Sequence, residues 1–211
     1  MSTWTSDVAG DRRGVALRAL CLAGCVPLAA CLDPPVAGEP TAQDALRAVS
    51  FYDGAVTVAG PRGYCIDRAS IKQDADGRFA LLASCESLTG QAGIAVDPAV
   101  MTVAVLSRAG AIAPPDAAAM TQAIGPGTVR RAENRDDITL IHVSAGGETV
   151  LPGGDPAHWR ASMIINGHIV GLAAYGPEGG AIAGPRGRDL LRDLAEALRT
   201  ASAGGGAATG S

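Results

Sequence analysis

The dipeptide Asn166-Gly167 constrains the fold more than any other feature of this sequence. It separates two apolar runs of strand length, residues 159–165 and 168–175. Both residues tolerate the positive φ angles of a tight two-residue turn, so this pattern is the strongest short-range signal for a β-hairpin. We therefore expect two antiparallel strands here, and a two-residue turn would place Trp159 opposite Ala174.

Strand-like runs also occupy much of the chain before this hairpin. They cover residues 56–58, 64–71, 78–87, 100–106, 128–132 and 138–143. Short runs rich in β-branched residues and bounded by Gly, Pro, Asn or Asp are typical of strands. Together with the hairpin, they predict an antiparallel β-sheet of six or more strands.

Two segments have the pattern of helices. Residues 114–124 begin with two prolines and an aspartate and are followed by Gly125, which is the usual punctuation of a helix. Residues 188–199 place the leucines at 190, 191, 194 and 198 on one face. A third, short helix is expected through Val49, with residues 41–44 as its cap.

These elements predict an α+β domain over residues 46–200, in which the middle helix and the C-terminal helix pack on the antiparallel sheet. The Gly/Ala-rich tail, residues 201–211, is expected to be disordered. The order of elements over residues 50–200 loosely resembles the PsbP-like sandwich, a compact fold that small accessory and binding proteins use. No sequence motif accompanies this resemblance, so it assigns no functional residues.

Composition restricts both the core and the partners of this domain. Aromatic residues make up 3% of the chain and hydrophobic residues 47%, so the core must consist mainly of Val, Ile, Leu and Ala. The formal net charge is −4. An acidic protein is a poor electrostatic match for phosphate backbones, and we therefore expect no nucleic-acid partner.

The N-terminus has the pattern of an export signal. Residues 1–18 are polar and contain Arg12, Arg13 and Arg18, whereas residues 19–30 are uncharged and apolar. The apolar segment would rise about 18 Å as a helix, which is too short for a hydrocarbon core of about 30 Å. Residues 1–30 are therefore predicted to be a signal peptide, the alternative being a buried apolar helix.

The end of this segment, Leu28-Ala29-Ala30-Cys31, resembles the lipobox of bacterial lipoproteins. The resemblance implies cleavage before Cys31, a diacylglycerol on its thiol and attachment to the bacterial membrane through that lipid. Residues 22–25 also fit the motif, but they would leave a much shorter apolar run. The protein is then expected on the periplasmic face of the cell envelope, with the outer membrane favoured by Leu32, and the Pro-rich segment 31–45 would be a tether.

Cleavage at this site also accounts for the cysteines. Cys21 and Cys25 would leave with the signal peptide and Cys31 would be acylated, so that Cys65 and Cys85 remain in an oxidising compartment. A structural disulfide between these two is expected. A redox pair or a thiolate metal site is the alternative, although the spacing is not CxxC.

The turn between the two cysteine-containing runs sets their register. If residues 74–76 form a three-residue loop closed around Gly77, Cys65 and Cys85 face each other directly, at a separation that suits a disulfide. If Asp76-Gly77 is a two-residue turn, they are offset. The same residues resemble the start of a calcium loop, but the other ligand positions are missing, and a hairpin turn explains them better.

No residue pattern names a reaction. His142, His158 and His168 are the only histidines, and none has the short spacing of a zinc pair. The GxSxG, SxxK and P-loop motifs do not occur. We therefore expect no metal or cofactor.

Two features remain as candidate binding sites. The pentapeptide AGPRG occurs at 59–63 and 183–187, and the second copy would offer Arg186 and Arg188 to an anion unless it is merely a repeated turn. Loops 151–156 and 176–180 would emerge at one end of the hairpin. Trp159 and Tyr175 beside them would either contact a partner or pack in the core.

These observations support two main hypotheses. The first is a non-catalytic lipoprotein with a binding or envelope accessory role and a periplasmic protein partner. The second is a periplasmic hydrolase or redox enzyme whose site is assembled from dispersed His and Asp residues. A histidine within about 4 Å of a carboxylate or a Ser would favour the enzyme, whereas an apolar cavity between sheet and helix would favour solute binding.

Overall fold

The computed structural model describes residues 45–75, 77–107 and 114–204. The predicted signal peptide, Cys31, the tether up to residue 44, Asp76 and the tail beyond Gly204 lie outside the described residues.

Eleven strands and four α-helices form in the described residues. The strands are β1 (Ala45–Leu46), β2 (Ala48–Phe51), β3 (Val56–Ala59), β4 (Tyr64–Asp67), β5 (Lys72–Gln73), β6 (Arg78–Ser84), β7 (Val100–Val105), β8 (Val129–Arg135), β9 (Ile138–Val143), β10 (His158–Ile165) and β11 (His168–Tyr175). The helices are α1 (Cys85–Thr89), α2 (Ala117–Ile124), α3 (Gly147–Val150) and α4 (Pro185–Ser202).

Nine of these strands form one antiparallel sheet within the described part of the chain. Their order is β1-β4-β6-β7-β11-β10-β9-β8, with β5 added beside β6, while β2 and β3 form a separate antiparallel pair. The sheet, the middle helix α2 and the C-terminal helix α4 confirm the α+β prediction with an antiparallel sheet of six or more strands.

One face of the sheet, the helix face, is covered by α4. β10 directs Trp159, Ala161 and Met163 into this layer, and the leucines of α4 at 190, 191, 194 and 198 are at most 3% exposed. The β2–β3 pair joins the same core, and the backbone N–H of Thr57 donates to Ser202 Oγ at the end of α4 over 2.9 Å. This layer forms the hydrophobic core of the described residues.

The opposite face of the sheet, the open face, is covered only in part. Because side chains alternate along a strand, Arg160 and Ser162 of β10 project from this face. Helix α2 lies over it, capped by Asp116, whose Oδ1 accepts from the backbone N–H of Ala119 over 2.8 Å. Gly125, at a φ of 108°, ends the helix as the sequence predicted.

The Asn166-Gly167 hairpin is confirmed in detail. The two turn residues have φ angles of 47° and 82°. Trp159 pairs with Ala174, which is the register that a two-residue turn dictates.

The predicted short helix near residue 46 is wrong. Residues 45–46 and 48–51 form strands β1 and β2 instead. Along β2, Phe51 is buried while Ala48 and Ser50 are exposed, and this period of two suits a strand with one buried face.

The disulfide between Cys65 and Cys85 is present, with the two Cα atoms 4.8 Å apart, but the direct pairing is wrong. Cys65 lies opposite Ala83, and Cys85 follows β6 as the first residue of α1. Residues 67–71 stand opposite only residues 80 and 81, because a 3-10 helix, Arg68–Ser70, takes up the additional length. This insertion moves the register by three residues, from Lys72 opposite Phe79 to Ile66 opposite Leu82.

Candidate functional site

Each histidine stacks on an aromatic ring. His142 lies on Trp159 at a centroid distance of 4.6 Å, His158 on Tyr175 at 5.0 Å and His168 on Tyr52 at 4.3 Å.

Each histidine also has a ring nitrogen beside a backbone carbonyl. The distances are 2.8 Å from His142 Nε2 to Ala183 O, 3.2 Å from His158 Nδ1 to Pro156 O and 2.9 Å from His168 Nδ1 to Leu106 O. Among the described residues, no three His, Cys, Asp or Glu side chains are grouped as a metal site would require. The structure therefore places the three histidines in contacts that are typical of packed side chains, with His142 near enough to His158 to lower its pKa.

Burial lowers the pKa of His142 and of His158 below the usual value of 6.5. The backbone hydrogen bonds to Ala183 and Pro156 oppose this shift, and the nearby guanidinium groups of Arg130 and Arg160 add to it. The lowered pKa values favour the neutral form of both rings at neutral pH.

Loops 151–156 and 176–180 lie together at one end of the β10–β11 hairpin, as expected. Gly154 bridges to Pro177, and the N–H of Asp155 donates to Gly176 O over 3.0 Å. Trp159 and Tyr175, the candidate partner-binding residues, are each only 3% exposed. Trp159 Nε1 donates to Gly184 O over 2.8 Å and Tyr175 stacks on His158, so both rings are packed against other side chains and backbone.

The two AGPRG segments line one open cleft of about 700 Å³, which Asp97, Asp193 and Glu196 also line. Arg186 pairs with Asp97 over 2.6 Å, and Arg188 pairs with Asp189 over 2.9 Å. Both arginines that the sequence offered to an anion are therefore engaged by carboxylates.

Close packing restricts at least one glycine in each of these segments. A Cβ at Gly60 would lie 2.6 Å from Tyr64 O, and one at Gly187 would lie 2.0 Å from Ile182 O. The first copy forms a turn before β4, whereas the second copy leads into the start of α4.

A second, partly open cavity lies between α2 and the open face of the sheet. It has a volume of about 360 Å³. Its floor is formed by β7, β10 and β11 and its roof by α2, and we call it the α2 cavity. Its lining includes Thr102, Ala104, Ser162, Gly171 and Ala173 on the floor, Pro115, Met120, Ala123 and Ile124 on the roof, and Arg160 and Tyr175.

Small side chains in the sheet create this space. Arg160, Ala173 and Thr102 form one row across β10, β11 and β7, and the next row contains Ser162, Gly171 and Ala104. A Cβ built on Gly171 would meet only the carbonyl oxygen of Ala104, at 3.9 Å. A larger side chain at this position would therefore enter the cavity without striking the backbone.

Helix α2 is not tightly packed on the strands that form the floor of the cavity. Every residue of α2 stays at least partly exposed, including Met120 and Ile124, which face the cavity. A helix that packed fully on the sheet would bury such side chains. Helix α2 contacts β8 and β9, and the cavity lies where the helix faces the small side chains of β7, β10 and β11.

Two polar side chains belong to this otherwise apolar site. Ser162 is 4% exposed, and its Oγ has no hydrogen-bond partner within the described ranges. Arg160 is exposed at the edge of the cavity, and none of the ion pairs found between described residues involves it. These are the groups that would orient a bound molecule.

Sequence reasoning missed the α2 cavity. Its signal was a set of small or polar residues at alternate positions of two strands, namely 160 and 162 on β10 and 171 and 173 on β11. The pattern is informative only when the register and the position of α2 are known.

No protein-family model, curated protein or solved structure matches this chain. The likeness to lipoproteins and to the PsbP-like sandwich therefore stays a prediction from sequence. In the part of the chain that the structure describes, no helix has the length and apolar character needed to cross a membrane.

Proposed function

We propose that this protein is a lipid-anchored, non-catalytic binding protein of the bacterial envelope, and that it holds a small, largely apolar solute in the α2 cavity. The observation that carries the proposal is the Ser162 hydroxyl, buried against this cavity without a partner among the described residues. A buried hydroxyl without a hydrogen bond costs about 1–3 kcal/mol. A solute that supplied a polar atom beside Ser162 would recover that cost.

The dimensions of the cavity suit such a solute. Ligand sites have volumes of about 300–1,000 Å³, with mostly apolar walls and a few polar groups. The α2 cavity, at about 360 Å³, lies at the small end of this range. Its volume corresponds to roughly a dozen water molecules at about 30 Å³ each.

The amino-acid sequence supports the attachment of this protein to the membrane through a lipid. The lipobox at 28–31 assigns the lipid to Cys31, and the Pro-rich tether would hold the domain off the periplasmic face of the membrane. The Cys65–Cys85 disulfide agrees with an oxidising compartment. The position of Leu32 directly after the lipidated cysteine favours the outer membrane.

The geometry of the histidines supports binding rather than catalysis. An enzyme built on dispersed His and Asp residues needs a base within hydrogen-bond reach of its nucleophile. His142, His158 and His168 instead contact backbone carbonyls, and Ser162 Oγ, the orphan hydroxyl of the cavity, has no base as partner in the described residues.

Titration with two eight-carbon probes, octanoate and 1-octanol, tests solute binding in the α2 cavity. We expect at least one of them to bind the full-length chain, measured by calorimetry and by NMR shifts of β10 and β11 amides. Gly171→Val should abolish that binding, because its side chain enters the cavity from the floor, where a Cβ would meet only Ala104 O at 3.9 Å. Ala195→Gly, in the helix α4 that covers the helix face of the sheet, is the control for a change outside the cavity. The proposal fails if neither probe binds, or if Gly171→Val binds as well as the wild type.

A further inference from the structure

The charge at the edge of the α2 cavity differs in sign from the charge of the chain. The formal net charge is −4, yet Arg160 is the only charged side chain among the described residues that line the cavity. An exposed cation beside an apolar site favours an anionic ligand, because the charges attract without the cost of burying the cation.

Arg160 and Ser162 are placed to bind one group together. They are two residues apart on β10 and project from the same face, so their Cα atoms lie about 7 Å apart. Both residues line the cavity, Arg160 as an exposed side chain and Ser162 as a buried one whose Oγ has no partner among the described residues. Both groups can donate hydrogen bonds to the same acceptor.

We propose, building on the solute-binding function above, that the ligand is a small monocarboxylate with an apolar tail. Its carboxylate accepts paired hydrogen bonds from the Arg160 guanidinium and one from Ser162 Oγ, while the tail lies under α2 against Ala104, Met120 and Ile124. Guanidinium and carboxylate match as planar, two-point partners, and such charge-assisted bonds are stronger than neutral ones.

The single cation selects this chemistry over other amphiphiles. A phosphate monoester carries up to two charges and more acceptor oxygens than one arginine and one hydroxyl can satisfy. A primary amine would be repelled by Arg160 and would find no carboxylate among the described lining residues. An alcohol would form a hydrogen bond with Ser162 but would gain no charge pairing with Arg160.

Calorimetric titration of the full-length chain with octanoate, 1-octanol and octylamine tests the proposal. The chain carries Cys31→Ser so that it stays free of membranes and detergent, and the probes stay below their micelle concentrations. We expect octanoate to bind at least tenfold more tightly than 1-octanol, and octylamine more weakly than either.

Variants then assign the difference to Arg160. Arg160→Met should weaken octanoate binding about tenfold and leave 1-octanol within about twofold, while Arg160→Lys should recover part of the loss, since a lysine keeps the charge but not the two-point geometry. Arg160 is exposed, so these changes spare the core. Arg62→Met, in the AGPRG cleft, should change nothing.

The possible results separate the two proposals. Equal binding of octanoate and 1-octanol, both blocked by Gly171→Val, would refute the carboxylate and leave the solute-binding cavity standing. The same holds if Arg160→Met leaves octanoate binding unchanged. Failure of all three probes to bind would overturn both proposals.

Discussion

At the scale of single residues, two buried serines differ in whether their hydroxyl group has a hydrogen-bond partner. Ser162 Oγ is without a partner among the described residues, whereas Ser202 Oγ, in a residue 1% exposed, accepts from the N–H of Thr57 over 2.9 Å. We predict that Ser162→Ala raises the free energy of unfolding of the ligand-free protein by about 1 kcal/mol, because it removes an unsatisfied polar group. Urea denaturation measures the change.

Ser202→Ala is the matched control. It should lower the free energy of unfolding by about 1–3 kcal/mol, since it leaves a backbone N–H without its acceptor. Equal destabilisation by the two substitutions would show that the Ser162 hydroxyl is bonded in the free protein, and the argument for its ligand would be lost.

The buried histidines give the fold a dependence on acid. Burial places the folded-state pKa of His142 and His158 below 6.5, while the unfolded chain titrates near 6.5. Below that pH the unfolded state binds more protons, so the free energy of unfolding falls as the pH drops; above it these rings add no slope. The stability contributed by the neutral rings is thus present above pH 6.5 and lost on acidification.

We therefore predict that the double variant His142→Gln with His158→Gln loses less stability between pH 7 and pH 5 than the wild type does. Urea denaturation at half-unit steps of pH measures both slopes. Above pH 7 the two proteins should show parallel curves. The same slope in wild type and variant below pH 6.5 would mean that other groups cause the acid sensitivity.

At the scale of elements, α2 controls the cavity because it is the roof and is weakly packed. Asp116→Ala removes its N-cap, and such a loss costs about 0.5–2 kcal/mol in helix stability. We predict faster amide exchange in residues 117–124 with unchanged exchange in β10 and β11, together with weaker octanoate binding. Hydrogen exchange read by mass spectrometry separates these segments.

Ser84→Ala removes the corresponding cap of α1, where Ser84 Oγ accepts from the N–H of Ser87 over 3.0 Å. It should leave octanoate binding unchanged, since α1 does not line the cavity. If both substitutions weaken binding alike, the effect comes from general loosening of the domain and not from the roof.

Elements fixed by local chemistry could be predicted from the sequence, whereas those set by pairing could not. The positive φ angles of Asn166 and Gly167 are a local requirement, and they fixed the register of β10 with β11. The register of β4 with β6 depended instead on a 3-10 helix, Arg68–Ser70, within a run that the sequence pattern assigned to a single strand.

The same distinction explains the cavity. Each of Gly171, Ala173 and Ser162 is an ordinary residue of a strand, and together they form a floor only because their strands pair in this order. The position of α2 over that floor depends on long-range packing. A single sequence records neither, so the candidate site appears only in three dimensions.

At the scale of the whole molecule, the proposed lipid on Cys31 would provide the membrane attachment of a chain in which no described helix is long and apolar enough to cross a membrane. If the lipobox is used, Cys31→Ser should abolish lipidation, and the protein should move from the membrane pellet to the soluble fraction. Two acyl chains hold a protein stably whereas none leaves only weak contacts, so the shift should be nearly complete. Fractionation of the envelope and mass spectrometry of the N-terminus measure it.

Cys31 lies outside the described residues, far along the chain from Arg160 and Ser162, so the released protein should bind octanoate with the affinity of the anchored form. This outcome would assign the anchor to location alone and the cavity to recognition. Cys25→Ser is the control, because residues 22–25 also fit the lipobox pattern, and it should leave the protein in the membrane. Persistent membrane association of Cys31→Ser with an intact N-terminus would show instead that the apolar segment 19–30 remains in the protein as its own attachment.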